Sequence, residues 1–194
     1  MYKKALPAAL AAAALAALTL APAAPAAAAT GELIEVIHTY TETVKESNSS
    51  FMCPANEVMI GRAHYGDENG KTTYRCGRIY VNGEQASVEL ATTKTLRERD
   101  SYYAIAGDAA IIGRKHIGDE NGYTTYYVGR MFWQGRTVRL ATWQWDEYLI
   151  ESNHSSRAGA NRVMTGREHV GDENGLTRYE YSTLQLGAPS GPNR

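Results

Sequence analysis

Beyond residue 30 the chain nowhere sustains the three- and four-residue apolar spacing of an amphipathic helix. Apolar and polar positions alternate instead, in short runs rich in β-branched and aromatic side chains, such as TTYRCGRIYV at 72–81 and TTYYVGRMFW at 124–133. Each run ends at a turn dipeptide, Asn82-Gly83 or Gln134-Gly135, and continues into a second alternating run, ASVELATT or TVRLATW. The pattern predicts an all-β protein built from hairpins.

The hairpins recur. HYGDENGKTTY at 64–74 returns as HIGDENGYTTY at 116–126 and HVGDENGLTRY at 169–179, each opening on the histidine of a shared Gly-Arg-x-His, with the histidines 52 and 53 residues apart. Similarity extends over about 51–90, 103–143 and 156–187; the third copy stops before its final arm, while residues 31–50 supply an arm-like segment ahead of the first. Three units of about four strands predict a pseudo-threefold body, a β-prism in preference to a β-trefoil, with the N-terminal strand closing the last repeat and removing an exposed sheet edge. The repeats run long for a trefoil and lack the Gln-x-Trp signature of ricin-type trefoil lectins. The likeness to β-prism, lectin-like modules is one of plan.

Side chains two apart share a strand face, so Arg62 and His64 face one way, and Thr72, Tyr74 and Cys76 face the same way on the returning strand. The intervening Ala63, Lys115 and Glu168 are expected to face water. In the loop, Gly66, Gly70 and their copies are expected at positive φ, with Asp67 capping loop N–H groups and Arg62, opposite Tyr74, either stacking on that ring or pairing with Asp67. This reading makes the motif a structural joint used three times.

The first residues change the compartment. Lys3 and Lys4 precede the apolar stretch Ala5–Leu20 and small residues at Ala27 and Ala29, which reads as a secretory signal over 1–29 followed by one domain, 30–194. No later segment is apolar enough to span a bilayer. Removing Lys3 and Lys4 leaves 18 basic against 21 acidic residues, a net charge of −3, with no basic block to neutralise phosphates, so nucleic acid is not an expected partner. Cys53 and Cys76 in an exported chain are expected to form a disulfide; the second copy carries Ile105 and Val128 there, and the third Ala158 and Tyr181.

Two functions suit this chain. A lectin-like protein would bind carbohydrate through three equivalent loops, with His64, Asp67, Asn69 and Tyr74, then His116, Asp119, Asn121 and Tyr126, then His169, Asp172, Asn174 and Tyr179, as the candidate ligand-binding residues. Their carboxylates, amides and rings are the groups that hydrogen-bond and stack on sugars. Alternatively, a structural or adaptor subunit of a larger secreted assembly would use the aromatics unique to one copy, Trp143, Trp145 and Tyr148, to bind a protein partner. No catalytic residue, metal ligand or cofactor is expected. Polar residues repeated in threes do not make the single asymmetric constellation that catalysis needs, and the GDENG loop lacks the ligand spacing of an EF-hand.

Overall fold

A computed structural model describes residues 31–188 apart from Glu120. The expected signal segment, residues 1–29, lies outside them. The described chain is all strand and loop: β1 (Ile34–Lys45), β2 (Ser49–Met52), β3 (Glu57–Tyr65), β4 (Lys71–Val81), β5 (Glu84–Gln85), β6 (Ser87–Arg97), β7 (Ser101–Ala104), β8 (Ala109–Ile117), β9 (Tyr123–Trp133), β10 (Arg136–Trp145), β11 (Leu149–Ile150), β12 (Asn153–Arg157), β13 (Arg162–Val170) and β14 (Leu176–Leu186). They form two antiparallel sheets, one of five strands and one of nine.

Three hairpins, β3–β4, β8–β9 and β13–β14, organise both sheets. Each is flanked on the outer side of its second strand by the long arm that precedes it in the chain: β1 on β4, β6 on β9, and β10 with β11 on β14. Each is flanked on the other side by a short strand: β12 on β3, β2 on β8 and β7 on β13. An arm and the short strand that follows it therefore lie on different hairpins, as β1 on β4 and β2 on β8.

This pairing corrects the expected closure. The N-terminal strand completes the first copy, running from Ile34↔Val81 to Lys45↔Lys71, and not the last. The reason is that β10 leaves β9 through the Gln134-Gly135 turn and already occupies β14, from Val138↔Leu186 to Trp145↔Glu180. Both predicted turns have φ positive at both residues, 52° and 81° at Asn82-Gly83 and 48° and 74° at Gln134-Gly135, which matches the twist of the flanking strands.

Two apolar cores result. One gathers Val58, Ile60, Ile79, Ala110, Ile112, Met131, Val138 and Val163 at the arm-turn end. The other gathers Met59, Ile111 and Met164 with Tyr74, Tyr126, Tyr179 and the Cys76 side chain. Each hairpin carries a register shift, at Met59/Gly61, Ile111/Gly113 and Met164/Gly166, and the extra residue lets one strand send adjacent side chains into different cores. Cys53 and Cys76 form the expected disulfide across 23 residues, a closure that contributes about 3 kcal/mol by restricting the unfolded chain.

Candidate functional site

The alternation in the hairpins sends Arg62 and His64 inward, opposite Tyr74 and Thr72. The same holds for Arg114 and His116, and for Arg167 and His169, against their partners on β9 and β14. All three arginines are 1% exposed and all three histidines are buried. Of the intervening residues expected to face water, Lys115 and Glu168 are half-buried and Ala63 is buried, since a methyl group between β4 and β12 is too short to clear its neighbours.

The partners of the arginines are not in the GDENG motif. They are Glu46, Glu98 and Glu151, in the turns that join each arm to its short strand, and all three are buried. Glu46 Oε1 lies 3.1 Å from Arg62 Nη2 and 2.6 Å from Arg114 Nη1. Glu98 Oε1 lies 3.1 Å from Arg114 Nη2 and 2.5 Å from Arg167 Nη1. Glu151 closes the circuit, with Oε2 at 3.0 Å from Arg167 Nη2 and Oε1 at 2.8 Å from Arg62 Nη1. Three cations and three anions alternate in a closed ring, so each buried charge faces two of opposite sign. That arrangement offsets a desolvation cost of several kcal/mol per ion. Burial alone would raise the carboxyl groups; Arg114 and Arg62 hold Glu46 below the ordinary range, and Arg167 with a second arginine holds Glu98 and Glu151 well below it. Arg62 thus pairs with glutamates and not with Asp67, as the reach across the hairpin interior favours the buried anions.

The GDENG loops hold this ring in place through their backbones. Gly70, Gly122 and Gly175 offer their carbonyls to the N–H groups of Glu46, Glu98 and Glu151 at 3.0, 3.0 and 2.9 Å. Ser47 N–H and Ser152 N–H reach the Glu68 and Glu173 carbonyls at 2.9 and 2.8 Å. Gly66, Gly118 and Gly171 have the expected positive φ, but Gly70, Gly122 and Gly175 do not. These last are glycine because a Cβ would come within 2.2, 2.0 and 2.1 Å of the Tyr65, Ile117 and Val170 carbonyl oxygens. The aspartates cap their own loops as expected: Asp67, Asp119 and Asp172 Oδ1 accept the N–H of Asn69, Asn121 and Asn174 at 2.8, 2.9 and 2.9 Å.

Within the ring the three copies are not identical. Thr72 and Thr124 donate to Glu46 and Glu98 in short hydrogen bonds while contacting Nδ1 of His64 and His116 at 2.8 and 3.0 Å. Thr177 instead accepts from Arg167 Nε at 3.1 Å and donates to the Glu168 carbonyl at 3.1 Å. His154, where the other short strands carry Ser49 and Ser101, adds a fourth imidazole, with Nε2 2.7 Å from the Tyr179 hydroxyl and 3.3 Å from Arg62 Nη1. Burial first, and then the adjacent Arg62 or Arg167, push His154 and His169 down to about 4.

Above the ring the three loops meet. A cavity of about 40 Å³ has Asp67, Glu68, Asp119, Asp172 and Glu173 at its rim and the ring glutamates with His64, His116 and His169 as its floor. The structure therefore brings the predicted aspartates and histidines to one place. Tyr74, Tyr126 and Tyr179 are buried beneath, in the second core, where Arg114 and Arg62 donate to the Tyr74 and Tyr179 hydroxyls at 3.1 and 2.7 Å. Ligand atoms of Glu46, Glu98 and His116 come within 4.8 Å of one another, but Arg114 lies against both carboxylates, so their charge is already engaged.

The predicted partner-facing aromatics lie elsewhere, on β10 and just after it. Trp143 is 69% exposed and Tyr148 is 45% exposed. Trp145 is half-buried, with Arg178 4.8 Å above its ring and Tyr102 5.5 Å away; Arg178 also stands 4.5 Å over Tyr148.

The ring glutamates were missed in the reading of the sequence, although a signal exists. Glu46, Glu98 and Glu151 each stand 18 residues before His64, His116 and His169, in ESNSS, ERDSY and ESNHS. Among the described residues no helix is long and apolar enough to cross a membrane. No protein-family model matches the chain, and neither a curated protein nor a solved structure matches it.

Proposed function

We propose that this is a secreted, non-enzymatic recognition protein of pseudo-threefold, β-prism-like plan that binds carbohydrate where its three GDENG loops meet. The observation that carries the reading is the convergence of Asp67, Asp119 and Asp172, from three hairpins, on one cavity mouth. Carboxylates and the neighbouring Asn69, Asn121 and Asn174 amides are acceptors and donors suited to sugar hydroxyls. Loops clamped onto a buried ionic ring lose little freedom on binding, which favours affinity. The loops then act together at one mouth, where the sequence suggested three separate sites. A glycan array comparing the mature chain with the combined Asp67→Asn, Asp119→Asn, Asp172→Asn variant tests it. Asparagine keeps the Oδ1 acceptor that caps each loop, so the variant should stay folded and lose at least tenfold in binding. Undiminished binding rules the reading out.

One observation favours a second reading, an adaptor that binds a secreted or cell-surface protein. Trp143, with 69% of its surface exposed, lies on β10 two residues before Trp145, which packs with Tyr102 and Arg178, and large exposed aromatics are common interface anchors. A partner recovered from the producer's secretions by the wild type but not by Trp143→Ala, while glycan arrays stay blank, selects this reading over the first.

A further inference from the structure

We infer that the second copy carries a cleft for an extended peptide, taken up as an added strand on the open edge of β7 and selected for apolar, basic and apolar side chains along one face. β6 and β7 leave the turn at 98–100 for different hairpins, β6 for β9 and β7 for β13. Between them lies a cleft of about 560 Å³, a volume within the range of ligand sites. In the other copies the corresponding joint is tied by a bond. The Cys53–Cys76 disulfide links the residues after β2 to β4 in the first copy. In the third, the Tyr181 hydroxyl lies 2.6 Å from the Ser156 hydroxyl, which also donates to Asp146. The second copy has Ile105 and Val128 at the places of the two cysteines; they offer no such link, and both line the cleft.

The walls of the cleft are main chain. Residues 89–92 of β6 and 103–106, from β7 onward, line it without a gap. Successive strand side chains leave on opposite sides, so an unbroken run turns its backbone to the space as well. β7 is the last strand of its sheet and pairs with β13 alone. The Ile105 N–H goes to the Thr165 carbonyl at 2.9 Å, and ladder groups alternate, so the N–H and carbonyl of Ala104 point away from β13, to the uncovered edge. Such an edge accepts another strand, and the short side chains of Ala91, Ala104 and Ala106 let a main chain come close. The floor then selects the side chains. Val128, Arg130 and Phe132 stand two apart on β9 and share a face, in the order apolar, charged, apolar. At the middle step carboxylates outnumber the guanidinium: Asp108 is 3.4 Å from Arg130 Nε, and Glu89 is the residue opposite Arg130 on β6. The one surplus negative charge is complemented by a basic side chain, set between two apolar ones at alternate positions of the incoming strand.

The test is fluorescence polarisation of the labelled hexapeptide TVTKTV titrated with the mature chain, with no sugar present. Saturable binding below about 1 mM is expected. TVTETV should bind about fivefold or more weakly, because its glutamate meets Glu89 and Asp108. Strand pairing has a signature of its own, since only alternate amides of a strand face a single neighbour. Of two TVTKTV peptides, one N-methylated at the threonines and one at the other three residues, one should lose about fivefold or more in affinity and the other should keep it. Ala104→Pro removes the open N–H, and Ala106→Trp fills the cleft from an exposed position; each should weaken TVTKTV by about fivefold or more, with the Tm showing that it folds. No saturable binding, equal affinity for TVTETV, equal affinities of the two N-methylated peptides, or undiminished binding by Ala106→Trp would overturn the proposal. The cleft and the loop mouth have no lining residue in common, so this proposal and the glycan reading can fail independently.

Discussion

At the scale of single residues, the molecule is organised by three arginines that a surface-minded reading would leave in water. Arg114 reaches Glu46 and Glu98 at 2.6 and 3.1 Å, and donates to the Tyr74 hydroxyl as well. Replacing it with methionine removes one charge and leaves two buried glutamates each with one cation, Glu46 with Arg62 and Glu98 with Arg167. Arg114→Met is therefore expected to destabilise the fold by about 3–5 kcal/mol, read from the denaturant midpoint. Arg136→Met, which breaks an outer pair with Glu32 and two hydrogen bonds to the Gly187 carbonyl, should move the midpoint far less. The inward direction of Arg62 and its copies was legible from alternation. Their partners were not, because the motif offers an aspartate five residues from Arg62, while the true anion stands outside the recognised repeat at Glu46. Local sequence favours the near carboxylate. The closed circuit favours the far one, since Glu46, Glu98 and Glu151 each face two arginines.

At the scale of elements, the GDENG loop is a clamp whose glycines differ in purpose. Gly122 carries no positive φ, yet its place is the tightest, 2.0 Å from the Ile117 carbonyl for any added Cβ. Its own carbonyl receives the Glu98 N–H, so a shift of this loop also moves a ring anion. Gly122→Ala should lower stability by about 2–4 kcal/mol, whereas Gly83→Ala, in open space at a turn of positive φ, should cost about 1 kcal/mol. Thermal melting of the two variants side by side checks the order. The turns at Asn82-Gly83 and Gln134-Gly135, the hairpins and the Cys53–Cys76 bond were readable because each is a local signal or a forced pairing. The destination of each arm was not readable. The turn at Gln134-Gly135 sends β10 back along β9 for only three pairs, Arg136↔Trp133 to Val138↔Met131, before it crosses to β14, and local patterning carries no record of that crossing.

At the scale of the whole molecule, the balance of buried charge makes stability depend on pH in one direction. The folded protein keeps His154 and His169 neutral down to about 4, while the unfolded chain protonates them near 6.5. The unfolded state therefore binds more protons throughout that interval, and the stability these groups contribute, full above 6.5, is lost as pH falls toward 4. Glu46, Glu98 and Glu151, held below their ordinary range, extend the loss to lower pH with the same sign. The Tm is expected to be flat from pH 7 to 8 and to fall by on the order of 5 °C or more between pH 6.5 and 5, measured by calorimetry at constant ionic strength. His154→Gln should flatten part of that slope without moving the glycan readout, because His154 does not line the mouth.

The interlocked arms also set a timetable for the nascent chain. β3 receives its outer neighbour β12 only when residues 153–157 have left the ribosome, roughly ninety positions after β3 itself. Until then one flank of the leading sheet offers unpaired amide groups, and Arg62 lacks Glu151. Pairings of such long range are expected to form late and to make folding slow. For the exported protein proposed above, closure after export would suit the chain better than assembly copy by copy on the ribosome.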